Sequence, residues 1–236
     1  MIIVLTRKKL LLGLIAAALL AAAAYQFASG GLFHPSNHIL NNDKDQVILI
    51  QVDEKKLYLL EDGEAVKKYT ISTGKAGFSS PIGDWEIISK GINWGKGFGA
   101  RWMGLNVPWG IYGIHGTNDE GRIGQAVSHG CIRMRNRDVK DLYDRVAIGT
   151  PVIIRNGPYG PFGMGFKTLQ PGQRGADVMA VQKKLKELGY YTGPDSGIYN
   201  ESLKQALHQF QRAHGLPVEN KITHDDYVAM GFIEFE

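Results

Sequence analysis

One thiol carries the chemical question in this chain. Cys131 is its only cysteine and stands in the run "AVSHGCIRM", residues 126–134. A thiol attacks a carbonyl only as the thiolate, so it needs a base within reach or a lowered pKa. Two histidines qualify. His129 lies two positions before Cys131, and in a strand both side chains project from one face. His115, in "YGIHGTN", lies sixteen residues upstream, enough chain for a loop to bring it back. Gly116 and Gly130 flank these positions, where glycine lets the backbone approach a substrate and turn N–H groups toward an oxyanion. Arg133 shares the face of Cys131 if the strand continues, and its planar fork suits a substrate carboxylate or a structural salt bridge. On residue types alone three roles stay open for Cys131. It is a nucleophile, a buried small hydrophobe, or a zinc ligand with His115 and His129 around an open water position.

The elements that position these residues follow from periodicity. "QVILIQVDEKKLYLLEDGEAVKKYTIST" reads as strands, with Val47-Ile48-Leu49-Ile50 a buried run and Asp62-Gly63 a hairpin turn. Residues 74–116 are crowded with glycine and aromatics and keep no helical period, which predicts short strands and functional loops. The stretch 89–104, rich in Gly and Trp, is either a lid over a cleft or, through Trp94, Trp102 and Trp109, plain packing. "NRDVKDLYDRV" (136–146) predicts a short helix capped by Asn136, with Val139, Leu142, Tyr143 and Val146 on one face, and "GTPVIIR" closes with a strand. The fold class expected is a mainly β domain over 46–156, a linker over 157–166, and a small three-helix domain over 167–236. In the last, Val178, Val181, Leu185 and Leu188 form one stripe ended by Gly189. Leu203, Leu207 and Phe210 form a second ended by Gly215, and Thr223 with Asp226 makes a capping box.

Ahead of these domains, Arg7, Lys8 and Lys9 precede an apolar run from Leu10 to Tyr25, extended by Gln26 and Phe27. A basic flank before an apolar core is the layout of a signal peptide or signal anchor, assigned here to 1–29, with a polar tether over 30–45. By the positive-inside rule the rest of the chain is extracytoplasmic, anchored to the membrane through residues 10–27 or released from it. The charge balance, 27 Lys and Arg against 23 Asp and Glu, is too mild and scattered for a nucleic-acid partner. A lone cysteine excludes an internal disulfide framework.

"IHGTNDEGRIGQAVSHGCIRM" resembles the active-site signature of the L,D-transpeptidases, an HG pair followed by SHGC. The resemblance extends over "VDEKKLYLLEDGE", "STG" at 72–74, "SPIG" at 80–83 and "GTPVII". The C-terminal part, with "GADVMAVQKKL", "LGYY" and "ALHQFQ", is similar to the small peptidoglycan-binding domain. The resemblance implies a β-sandwich-like catalytic domain with Cys131 as nucleophile, His115 as base and the Gly116 carbonyl orienting it. It implies an oxyanion hole around Gly130 and Cys131, His129 in support, Arg133 and Ser128 at the substrate, and no metal or organic cofactor. The implied reaction is 3→3 cross-linking of peptidoglycan stem peptides through a Cys131 thioester, in the cell wall. A carboxypeptidase on the same stems and a non-catalytic wall-binding scaffold are the alternatives. The implied partners are stem peptides and glycan strands.

Overall fold

The computed structural model describes residues 45–95 and 97–232. The apolar run and the tether expected before residue 45 lie outside the described residues. Among the described residues no helix is long and apolar enough to cross a membrane. The described residues belong to one compact unit.

Ten strands follow the sequence patterning: β1 (Gln46–Gln51), β2 (Lys56–Glu61), β3 (Glu64–Thr70), β4 (Thr73–Gly74), β5 (Gly83–Ile92), β6 (Arg101–Leu105), β7 (Tyr112–His115), β8 (Ala126–Ser128), β9 (Ile132–Arg133) and β10 (Pro151–Arg155). Eight of them form one mixed sheet in the order β3-β2-β1-β10-β5-β6-β7-β9, and β4 pairs with β8 beside it. Asp62 and Gly63 both take positive φ, 53° and 83°, which gives the β2–β3 hairpin a twist matching its strands. The run Val47–Ile50 is not buried throughout. It alternates, with Ile48 and Ile50 fully buried and Val47 and Leu49 partly so.

Strand β5 curls the sheet. Its first half pairs with β10 and its second half with β6, and the register shifts between Ile87 and Ser89. A bulge of this kind bends the strand and increases its twist. Ile48, Ile50, Leu57, Leu59, Ile71, Ile87, Met103, Ile114 and Ile132 fill the interior without exposure. Truncating one of them to alanine costs about 2–5 kcal/mol.

Helix α1 (Asn136–Arg145) covers the sheet with Val139 and Leu142. Asn136 is not its cap. Arg135 holds that position with no side-chain bond, because the Asn136 side chain is engaged elsewhere. The stretch 89–104 is not one loop either, since β5 and β6 extend into it and leave only the tip 93–100.

The C-terminal module comprises α2 (Ala176–Glu187), α3 (Glu201–Ala213) and α4 (His224–Ala229) around Val178, Val181, Leu185, Leu203, Leu207 and Phe210. Asn200 caps α3, and Thr223 with Asp226 forms the capping box of α4. Leu188 falls outside the stripe and is exposed, because α2 ends at Glu187. The expected linker is ordered. A single 3-10 turn, Gly160–Phe162, carries Phe162 against Tyr227 and Phe232, with Phe166 beside them. Nor is the module separate. Ala176 belongs to the buried core of the catalytic domain, with Met179 and Ile198 packed against it.

Candidate active site

The site is a product of strand register. Parallel pairing of β7 with β9 sets His115 beside Arg133 and Ile114 beside Ile132. Antiparallel pairing of β6 with β7 sets Trp102 on the other side of His115. One row across one face of the sheet therefore reads Trp102, His115, Arg133, since directly opposed residues share a face. Cys131 precedes Arg133 by two residues and joins that face next to Gly113. A methyl group at Gly113 would lie 2.7 Å from the Trp102 ring and 2.7 Å from the Met103 carbonyl. The bare backbone there makes room for the indole.

These residues line a cleft of about 550 Å³ with Trp94, Phe98, Ile111 and His129. Trp94 stacks on Trp102 at 5.8 Å, and Phe98 meets both Trp102 and His115 edge-on at 5.2 and 5.0 Å. Two of the three tryptophans considered above thus form the cleft wall, while Trp109 is buried away from it. The exposed His129 of the lining is edge-on to Phe78 at 4.7 Å, and the Lys75 ammonium lies over the Phe78 ring.

His115 is buried, and its Nδ1 lies 2.5 Å from the Gly116 carbonyl oxygen. A carbonyl only accepts, so Nδ1 carries the proton and Nε2 keeps the lone pair. Burial lowers the His115 pKa from 6.5 to about 4, and the Arg133 charge pushes the same way, against the carbonyls of Gly116 and Phe98. The imidazole is therefore neutral at pH 7. Burial raises the Cys131 thiol above its ordinary value, while the Gly113 backbone N–H and the Arg133 charge pull it back. Both groups rest uncharged, which describes a general-base pair and not a standing thiolate–imidazolium.

The turn before Cys131 is held from inside. Ser128 is fully buried; its hydroxyl donates to the Cys131 carbonyl at 2.6 Å and accepts from the Gly130 N–H at 3.0 Å. It shapes the turn and does not reach the cleft, in contrast to the substrate contact expected of it. The same bond occupies the Gly130 N–H and leaves Gly130 a conformational role. Its φ of +114° suits glycine, and a side chain there would strike the Tyr112 ring at 2.6 Å.

Arg133 faces the cleft without a carboxylate partner among the described residues, and its Nε is buried with no hydrogen bond. Asn136 is the residue that sequence reasoning misplaced. Its Oδ1 accepts from Ala100 N–H at 2.7 Å and its Nδ2 donates to the Thr117 carbonyl at 2.8 Å. It ties the root of the 93–100 tip to the turn that follows His115. Its place just before a helix suggested a cap, and nothing local announced the longer reach. Among the described residues no three His, Cys, Asp or Glu side chains gather as metal ligands.

Comparison with known proteins gives two family matches. Residues 45–154 match the model of the L,D-transpeptidase catalytic domain, and residues 174–223 match that of the "Putative peptidoglycan binding domain". "Putative L,D-transpeptidase YkuD" of Bacillus licheniformis is 44% identical over 107 residues, 45% of this chain and 64% of that protein. The match thus spans less than two thirds of that relative. "Putative L,D-transpeptidase YqjB" of Bacillus subtilis is 33% identical over 125 residues, 47% of this chain and 71% of that protein. Among solved structures, the catalytic domain from the E. faecium L,D-transpeptidase is 25% identical with a TM-score of 0.42, covering 47% of this chain and 96% of that one.

Proposed function

The chain belongs to the L,D-transpeptidase family, and on that premise we propose that it is an acyltransferase that cross-links peptidoglycan stem peptides through Cys131. The observation that carries this reading is the shared face of His115 and Cys131, with His115 Nδ1 fixed on the Gly116 carbonyl and Nε2 left basic.

The first half-reaction begins with the neutral imidazole taking the thiol proton as Cys131 attacks the carbonyl of the L-centre in a stem tetrapeptide. The tetrahedral oxyanion forms beside the Cys131 backbone N–H, since that of Gly130 is held by Ser128. Collapse breaks the bond to the terminal D-alanine, which leaves with the proton carried by His115, and a Cys131 thioester remains. In the second half an amine of another stem attacks the thioester and passes its proton to His115. The thiol is regenerated and the 3→3 cross-link is made. Water in place of the amine yields a carboxypeptidase. Arg133 pairs a free carboxylate of the donor stem; a guanidinium that lines the cleft with no carboxylate partner among the described residues suits that role. The aromatic wall of Trp94, Phe98 and Trp102 keeps water from the thioester. The helical module binds wall glycan, and both domains act in the cell envelope, tethered by or released from the N-terminal apolar segment.

The test is incubation with a soluble stem tetrapeptide, followed by intact mass and product analysis beside Cys131→Ala. A transient adduct on the wild type, D-alanine release and a dimeric product support the transpeptidase. Release without dimer makes it a carboxypeptidase. Neither adduct nor release overturns the reading.

A further inference from the structure

The loop between β6 and β7, residues 106–111, has two sides. Ile111, 88% exposed, rims the cleft. Trp109, two residues earlier, is 3% exposed and turns the other way, into the C-terminal module. Its indole lies on the backbone of Gly197, where any side chain would fall inside the ring, and its carbonyl oxygen accepts from Arg174 Nη1 at 3.4 Å. Ala176, Met179 and Ile198 of the module complete this seat within the catalytic core. From Trp109 the contacts continue inward. Its ring meets Tyr112 edge-on at 6.5 Å, and the Tyr112 ring is the surface on which Gly130 rests. Gly130 is bonded directly to the nucleophile residue.

We propose that the C-terminal module is a structural part of the catalytic site, with Trp109 and Tyr112 as positioning residues that carry its seating to the Gly130–Cys131 turn. Gly130 has no side chain of its own to fix it. The turn is located by the Ser128 hydroxyl beneath and the Tyr112 ring above. A shift of the tryptophan releases the upper support. Displacement of a nucleophile by about 1 Å costs on the order of a hundredfold in rate. The module thus governs reactivity toward a free peptide that carries no glycan for it to bind.

The inference rests on the proposed acyl transfer, and the experiment separates the two. In the full chain, Gly197→Ala intrudes on Trp109 from the module side. Sacculus pull-down reports whether the module stays folded. Cys131 is then followed by intact mass with two reagents, a soluble stem tetrapeptide and iodoacetamide, the latter across pH. The expected result is acylation slowed about tenfold, a shifted pH midpoint of alkylation, and pull-down retained. Tyr112→Leu, which removes the ring on which Gly130 rests, should be as slow as Gly197→Ala. If Gly197→Ala loses pull-down, Trp109→Leu opens the same seat from the catalytic side and replaces it. Wild-type acylation and alkylation in the variant with a folded module overturn the proposal. If the wild type itself is never acylated, the acyl-transfer reading fails, and the alkylation profiles alone decide the coupling.

Discussion

The helical module and the catalytic cleft bury polar atoms in opposite ways. In the module, Gln182 and Gln211 are fully buried and fully used. The Gln182 amide nitrogen has the oxygens of Tyr191, Ser196 and Ile198 within 3.0–3.3 Å, three acceptors for its two hydrogens, and its oxygen accepts from the Gly197 N–H. Gln211 donates to Asp226 and Lys221 and accepts from Glu219. The three buried side-chain atoms without a partner among the described residues, Thr73 Oγ1, Arg101 Nε and Arg133 Nε, all belong to the catalytic domain. That domain also holds His115, whose pKa burial lowers to about 4. Satisfied networks specify a fold, whereas unsatisfied groups persist where another requirement overrides stability. The module is built to keep its shape, and the cleft is built to meet something.

Substitutions on the two sides should therefore fail differently. His115→Gln should slow acylation by roughly a thousandfold while leaving the melting temperature at pH 7 near wild type. A stopped time course by intact mass measures the first and calorimetry the second; a large loss of stability would break the contrast. Gln211→Ala should do the reverse, destabilising the chain by about 3 kcal/mol through the partners it strands. Denaturant unfolding checks this, and wild-type stability would count against the satisfied network. Arg133→Gln should raise KM for a stem with a free carboxylate about 30-fold, close to 2 kcal/mol, and change unfolding little, since it breaks no ion pair among the described residues. Equal KM values for free and amidated stems in the wild type would remove Arg133 from the substrate.

The smallest effect is in pH. His115 is held below its unfolded value of 6.5, at about 4, so between those values the unfolded chain binds the extra proton. Stability falls as pH drops through that window. From pH 6.5 to 5.5 the loss should be about 1 kcal/mol, and His115→Gln should abolish it. Unfolding curves at the two pH values measure both.

What was legible in the sequence was local. Asp62-Gly63 announced its turn because both residues tolerate positive φ, and the Thr223–Asp226 box announced α4. Cys131, His115 and Arg133 were found by residue type, by alternate spacing and by the family signature. Illegible were the features that depend on a distant partner. The parallel pairing of β7 with β9 fixes His115 beside Arg133, and a loop of any shape between them would have read the same. Ser128 looked like a site residue because it adjoins one, but its hydroxyl bonds to Gly130 and Cys131 draw it inward. The glycine-rich composition of 157–166 suggested a free linker. The aromatics within it bind it to the module, since burying them outweighs the freedom of the glycines around them.

The central pairing of the sheet joins the beginning of the catalytic domain to its end, with Ile48 beside Val152 and Ile50 beside Ile154. A chain that emerges N-terminus first therefore holds the thiol, the histidine and the arginine before it holds the strand that closes their sheet. The thiol exists before its cleft is complete. Partial chains ending before β10 lack the pairing that joins the two ends of the domain, and should expose Cys131 without the register that sets it beside His115.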